Sequence, residues 1–221
     1  MNSLKQLFLN RNKTVWLLGI SILYSLALLV IQIKISNSLF YLILIWNLFL
    51  AVLPYVVSCY LSILKNHNKI AFTFSFCLWI VLLPNAPYII TDFIHLKISN
   101  PYMLWLDALL ISSFAFNGLL LFYLSVHDVK TLLYRFFTKR QVNYIIIVTM
   151  FLTSFGIYLG RFLRYNSWEI LSNPKCLFID IFNIITSPNT NQEAWLFTIL
   201  FGLFLCIGNF TFKIFYSNPS T

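Results

Sequence analysis

The sequence predicts an all-α protein, a polytopic membrane helix bundle with about six transmembrane helices and short interfacial helices. Of the 221 residues, 60% are hydrophobic, 19% are aromatic and only 10% are charged, and the mean hydropathy is +0.82. This apolar share exceeds that of soluble globular domains. The apolar residues also form runs close to the roughly 20 residues that a helix needs to cross a bilayer. Lipid is therefore the predicted solvent for most of the surface.

Six apolar segments are each long enough to cross the hydrocarbon core, about 30 Å thick, as a helix. Because no soluble domain separates them, we interpret the chain as a single integral membrane domain over residues 1–221. The third segment contains Pro84 and Pro87, which remove two amide donors and disfavour helical geometry at the preceding residue, so a break is predicted there. The segments cover residues 14–33, 39–64, 70–91, 103–126, 142–160 and 194–212.

The distribution of lysine and arginine predicts the orientation. Ten of them fall at the termini and in the connections on one side of the predicted membrane, and five fall on the other. Cytoplasmic loops are the richer ones, so both termini are predicted in the cytoplasm and the protein in the plasma membrane. The formal net charge of +9 is then a feature of topology, because no basic stripe predicts a nucleic-acid partner. The lipid bilayer is the predicted partner, and the oligomeric state stays open.

Two further stretches have the pattern of helices that lie on the membrane surface. Between Val126 and Arg140, apolar residues recur at helical spacing among four basic ones, which favours contact with anionic lipid; a solvated basic loop is the alternative. After Asn173, Pro174 is typical of a helix start, and apolar residues follow on one side. Aromatic side chains near the ends of the spans fit an interfacial belt. They are Trp79, Tyr102, Trp105, Tyr165 and Trp168.

Polar side chains interrupt the apolar pattern near the predicted external interface. The first such stretch is LPNAPYIITDFIHL, in which Tyr88, Asp92 and His95 share a face if the chain is helical. The second is WLD, which ends at Asp107, about one turn inside the fourth span.

The third polar stretch, GIYLGRFLRYNSWEI, begins at Gly156 and places Arg161, Arg164 and Trp168 on one side of a helix. Together with LPNAPYIITDFIHL and WLD, it resembles the motifs of an uncharacterised family of small bacterial multi-pass membrane proteins that is catalogued only as a domain of unknown function. The resemblance follows the segment order over nearly the whole chain and implies an acid after the tryptophan, which is Glu169 here. It implies membrane placement and the importance of these positions, but no activity and no cofactor.

The acids and arginines of these stretches are predicted to gather in one charged site at the extracytoplasmic interface. Unpaired charge in a low dielectric is costly, so the sequence predicts pairing. In one interpretation the site is structural: Arg161 or Arg164 forms an ion pair with Asp92 or Asp107 and locks the helices together.

In a second interpretation, the protein is a membrane enzyme that acts on an anionic lipid or lipid-linked substrate. Asp92 or Glu169 would serve as general base and His95 as acid or base, with the arginines holding the anionic group. The catalytic candidates are Asp92, His95, Asp107 and Glu169, and the substrate-binding candidates are Arg161, Arg164, Asn85, Tyr88, Asn166 and Trp168. The catalytic candidates include metal-ligand types, but the DxxH spacing is common by chance, so no metal site is assigned.

Two other interpretations need no catalysis. A small-solute transporter would use the break at Pro84 and Pro87 as a discontinuous helix, with Asn47, Asn117 and Asn209 as deeper polar candidates. Such asparagines more often form hydrogen bonds between helices. A membrane scaffold subunit would instead use its outer amphipathic helix to contact a partner protein.

Overall fold

The computed structural model describes residues 12–63, 69–98, 101–165 and 174–217, and its regular structure within these ranges is entirely helical. Three 3₁₀ segments, Phe40–Leu42, Ile89–Ile98 and Pro101–Met103, join α-helices. The α-helices are α1 Asn12–Ser36, α2 Ile43–Ile63, α3 Lys69–Leu82, α4 Asn85–Tyr88, α5 Leu104–Leu133, α6 Lys139–Arg161, α7 Pro174–Thr186 and α8 Gln192–Ser217.

Six helical segments are long and apolar enough to cross a membrane, which confirms the predicted all-α, six-span fold class. The third of them is not one regular helix, because it joins α3, α4 and the 3₁₀ segment Ile89–Ile98. The spans are Thr14–Ser36, Phe40–Ser62, Ala71–Lys97, Leu104–Leu133, Lys139–Arg161 and Gln192–Tyr216.

The contacts within the chain define two compact units, and the boundary along the chain falls between Val129 and Lys130. The first unit holds α1 to α4 and most of α5, and in it α2 packs against α3 and α4. The second unit holds α6, α7 and α8, and in it α8 packs along α6. The single domain expected from the sequence stays a prediction.

The break predicted at the two prolines is present. Helix α3 ends at Leu82, and Pro84 then stands at the N-cap of the four-residue helix α4, in which Ala86 and Pro87 are buried. Gly118 of α5 faces this break so closely that a Cβ atom on it would overlap the carbonyl oxygen of Ala86. The interrupted backbone is therefore shielded by a neighbouring helix, as a non-helical segment inside a membrane must be.

The interfacial helix expected between Val126 and Arg140 does not form, and this prediction was wrong. Helix α5 continues to Leu133, and the apolar residues at its end are buried inside the protein. A turn follows, and Thr138 then starts α6 with a reciprocal capping box to Gln141. The first part of the predicted apolar face, up to Leu133, is covered by protein, whereas Phe136 and Phe137 in the turn are exposed.

The second amphipathic stretch forms the predicted helix. It is α7, which begins at Pro174 and buries Leu177 and Ile184 on one side. Ile184 joins a core with Tyr158 of α6 and Ala194 of α8. The indole Nε1 of Trp195 donates a hydrogen bond to the Ile184 carbonyl at 3.1 Å, which ties α7 to α8.

The close approach at Gly118 predicts that a single added methyl group destabilises the protein. In Gly118→Ala the new Cβ would overlap the backbone oxygen of Ala86, which has no flexible side chain to move aside. We expect a loss of about 1–3 kcal/mol of unfolding free energy, measured by denaturant titration in detergent micelles.

Gly19→Ala is the matched control, because Gly19 lies in α1 with nothing within 4 Å of the position that an added methyl group would take. Alanine should there be neutral or stabilising by up to about 1 kcal/mol through helix propensity. Equal effects of the two replacements would contradict the close packing of α5 on the break.

Candidate functional site

Helix α5 carries a stripe of buried polar side chains through the first unit. Asp107, Asn117, Ser125 and Asp128 are all buried and fall within one side of the helix at 100° per residue. The stripe extends from one end of the span to the other. At 1.5 Å per residue, Asp107 and Asp128 are about 32 Å apart along the helix axis. The two acids therefore lie near the two rims of the hydrocarbon core, and the neutral groups lie between them.

Each neutral member of this stripe contacts a different part of the surrounding helices. Ser25 of α1 accepts a hydrogen bond from the Asn117 amide at 2.9 Å. Trp79 of α3 donates to the Ser125 hydroxyl at 2.7 Å, and Ser125 donates to the Pro54 carbonyl of α2 at 3.0 Å. Interhelical hydrogen bonds of this kind join α5 to three neighbouring helices.

Asp92 is the centre of a second polar group, with partners from two elements. It lies in the 3₁₀ segment Ile89–Ile98, where residues three apart are stacked, so His95 comes directly beside it. The His95 Nε2 and Asp92 Oδ1 atoms are 3.7 Å apart. From α2, the Asn47 amide donates to Asp92 Oδ2 at 2.8 Å. The Asp92 side chain is only 2% exposed, whereas that of His95 is 28% exposed.

Asp107 has a different environment. It lies in the first turn of α5 and accepts a hydrogen bond from the side-chain amide of Gln32 in α1. An acid in the first turn is favoured by the helix dipole. The other end of the same amide, Gln32 Oε1, is buried without a hydrogen-bond partner in the described part of the chain.

Both acidic groups lie at the same end of the first unit. Gln32 is close to the end of α1 and Asn47 close to the start of the next span, while Asp107 is close to the start of α5. Successive spans alternate in direction, so these ends share one membrane face. Each of the first four spans thus contributes one polar residue near this rim. Gln32 pairs with Asp107, and Asn47 pairs with Asp92.

The two predicted arginines belong to the second unit. Arg161 is the last residue of α6, and Arg164 follows it with a left-handed backbone at φ 62°. Because the helix ends between them, the predicted common helical face of the arginines does not form. Tyr165 then donates its hydroxyl to Asp180 of α7 at 2.7 Å. The pairing of these arginines with Asp92 or Asp107 stays a prediction.

The remaining candidates are only partly described. Asn85 and Tyr88 are half-buried at the two ends of α4. Asn166, Trp168 and Glu169 lie outside the described residues. Among those that are described, no group of three His, Cys, Asp or Glu side chains is arranged to hold a metal ion.

One partner of the acids was missed from the sequence, and one aromatic residue was misplaced. Gln32 was not considered, although a lone glutamine four residues before the end of an apolar span is itself a signal. Asn47 forms the hydrogen bond between spans that the sequence favoured over a role as solute ligand, and its partner is Asp92. Trp79 was assigned to the interfacial belt, which was wrong, because its ring is fully buried and bonded to Ser125. Tyr102 and Trp105 are exposed, as a belt requires.

The second unit has an aromatic groove along α8. Its volume is about 480 Å³, and Tyr158 and Phe162 line one side of it, with Glu193 at one end. The rings of Phe162 and Phe197 are 5.4 Å apart, and those of Phe197 and Phe201 are 5.2 Å apart, so they form a continuous row. The groove starts beside the end of α6, the helix whose last residue is the first of the two arginines.

Six apolar spans and buried polar pairs between them define a multi-pass integral membrane protein. The chain belongs to the family described as Protein of unknown function (DUF1361), whose model matches residues 46–207. The matched range includes Asp92, His95, Asp107 and both arginines. No curated protein and no solved structure matches the chain.

The hydrogen bond between Asn47 and Asp92 predicts energetic coupling of the two residues. Asn47→Ala leaves a buried carboxylate without its amide donor, so we expect it to lower the unfolding free energy by about 1–3 kcal/mol. In an Asp92→Ala background the same replacement should cost less, by about 1 kcal/mol. SDS titration of the purified protein in mixed micelles measures the four free energies of this cycle.

Ser62→Ala provides the control, because the Ser62 hydroxyl bonds to the Ser58 carbonyl of its own helix at 2.9 Å. Its effect should be the same with and without Asp92→Ala. Full additivity of Asn47→Ala and Asp92→Ala would contradict the contact.

Proposed function

We propose that the protein is a membrane enzyme that acts on an anionic lipid or lipid-linked substrate at the extracytoplasmic rim of the bilayer. The observation that supports this proposal is the pairing of a buried carboxylate, Asp92, with a partly exposed imidazole, His95. A buried acid that needed only to lock helices would be satisfied by the Asn47 amide. A histidine at its exposed side adds a group that can exchange protons with a substrate.

In this mechanism, each residue of the Asp92 group has one role. The Asn47 amide fixes the carboxylate, and the carboxylate, 3.7 Å from Nε2, would hold the imidazole by charge attraction once the ring is protonated. The Nδ1 atom on the other side of the ring would take a proton from a nucleophile, such as water or a hydroxyl group, and Asp92 would stabilise the imidazolium that forms. Relative to the sequence interpretation, His95 becomes the proton acceptor and Asp92 its positioning residue.

The second unit by itself has features that suit an anionic lipid. Arg161 and Arg164 are permanent cations suited to a phosphate, because a guanidinium binds phosphate oxygens in a planar fork. The aromatic groove that starts beside the end of α6 has the size and lining for a hydrocarbon tail. A phosphate and a tail at neighbouring positions are the two parts of a phospholipid or a polyprenyl phosphate.

The proposed location follows from charge. The end of the first unit with Asp92 and Asp107 adjoins connections that hold few lysines and arginines, while the other end adjoins the 130–140 segment, which holds four of them. By the positive-inside rule, we propose that the acids are extracytoplasmic, that both termini are cytoplasmic, and that the membrane is the plasma membrane of a bacterium.

Membrane lipids of cells that lack the protein test the proposed enzyme. We expect one anionic or lipid-linked species to change in abundance, and wild-type protein should restore it. His95→Gln and Asp92→Asn should lower turnover by about 100-fold or more while folded yield in detergent is retained, because both keep the size of the side chain. Mass spectrometry of lipid extracts, with quantification of the purified variants, gives both measurements.

Asp128→Asn is the matched control for this experiment. Asp128 is buried in the same unit and lies 3.4 Å from the Ser58 hydroxyl, but at the opposite end of α5. It should restore the lipid profile like the wild type. An unchanged profile in cells without the protein, or full restoration by His95→Gln, would refute the proposed activity.

A cation-coupled carrier is the second candidate, and two orphaned oxygens favour it. Gln32 Oε1 and Asn117 Oδ1 are both buried and unbonded within the described residues, and both lie where α1 meets α5. With the Asp107 carboxylate beside Gln32, they offer oxygen atoms at two depths, about 15 Å apart along α5, as successive stations for a proton or a small cation. The proline break does not favour this candidate, because its backbone is covered by Gly118.

Proteoliposomes separate the two candidates. A carrier should move radioactive sodium, or acidify a trapped pH dye, and Asp107→Asn should abolish this flux while His95→Gln leaves it intact. No flux above that of empty liposomes would reject the carrier. Flux abolished by His95→Gln and not by Asp107→Asn would also reject this α1–α5 route.

A further inference from the structure

The second unit has a basic cluster at the end of α6 opposite to Arg161. Its members come from three helices and the turn between two of them: Lys130, Arg135, Lys139, Arg140 and Lys213. Lys139 and Lys213 lie close enough to act electrostatically on Lys130. Within residues 129–145 and 206–217, the sequence contains no Asp or Glu. The cluster therefore concentrates positive charge, and Asp128 of α5 is the acid nearest to it along the chain.

A cleft lies beside this cluster at the start of α6. It has a volume of about 450 Å³ and is lined by Phe137, Arg140, Gln141, Tyr144 and Ile145. Gln141, Tyr144 and Ile145 follow Arg140 by one, four and five residues in α6. The cleft therefore follows one side of the helix from its charged end toward the membrane interior. Tyr144 is 70% exposed, so most of its ring is open to the surroundings.

We propose that this cleft binds one anionic phospholipid, with the phosphate at Arg140 and an acyl chain along Tyr144 and Ile145. Arg140 provides a cation at one end of a mostly apolar cleft, and a lipid with a negative head group has the same order of charged and apolar parts. The cleft opens along a helix that spans the membrane, where lipid is the surrounding solvent, so a lipid reaches it directly. A free anion would bind to the cations but would not contact the apolar residues of the cleft.

The site is separate from the proposed catalytic chemistry. Arg140 and Arg161 lie at opposite ends of the same spanning helix, so a lipid bound at Arg140 resides in the other leaflet from the proposed substrate. The two proposals can therefore fail independently. An Arg140 variant can lose the bound lipid and still restore the cellular lipid profile. That result would leave the proposed activity intact.

Native mass spectrometry of the full-length protein in detergent tests the proposal. We expect one phosphatidylglycerol molecule to bind at least fivefold more tightly than phosphatidylcholine of the same chain length, as one cationic contact worth about 1 kcal/mol requires. Equal binding of the two lipids to the wild-type protein overturns the proposal, and this comparison needs no variant.

Variants then locate the lipid. Arg140→Gln should weaken phosphatidylglycerol binding by about fivefold or more, and Tyr144→Ala should weaken binding of long-chain but not of dihexanoyl phosphatidylglycerol. Lys175→Gln is the control, because Lys175 is an exposed cation of the same unit in α7, and it should bind as the wild type does. Equal loss in Arg140→Gln and Lys175→Gln, or displacement of the lipid by millimolar inorganic phosphate, would refute a specific lipid site.

Discussion

The lack of hydrogen-bond partners in hydrocarbon is the constraint on which this structure depends. A polar side chain that α5 carries into the membrane has no water to bond with, and leaving it unpaired costs several kcal/mol. Asn117 reaches α1, and Ser125 reaches α2 and α3, so the rotation and depth of α5 are fixed by its partners. Apolar contacts alone would not fix them, because lipid tails contact a leucine as well as another helix does.

The same constraint explains the arrangement around the proline break. A kinked span exposes backbone groups, and here the absence of a side chain at Gly118 lets α5 cover them. The chain beyond the break continues as a 3₁₀ segment, which stacks residues three apart and so brings His95 over Asp92. A regular α-helix would rotate the histidine away by about 60°. The prolines, the glycine and the Asp92 group are thus parts of one local geometry.

Much of this could be predicted from the sequence, and the failures have physical reasons. Long apolar runs identify spans, and two prolines identify a break, because both effects are local. Gln32 bonds to Asp107 and Asn47 bonds to Asp92 because their helices are neighbours. The sequence does not reveal which helices are neighbours, since a helix face in contact with lipid and one in contact with protein are both apolar. For the same reason the end of α5 resembled a surface helix. Arg164 was placed on a helical face that ends three residues earlier.

Each of the three buried acids of the first unit contacts a neutral side chain of another helix. Asp107 and Asp128 each contact a neutral side chain of another helix, Gln32 and Ser58, which is what a lock between helices requires. Asp92 has such a contact too, through Asn47, and it also has His95 at its solvent side. A lock explains the amide but gives no reason for a partly exposed imidazole beside it. The case for chemistry in this protein therefore rests on His95, and the acids by themselves would support only a stable bundle.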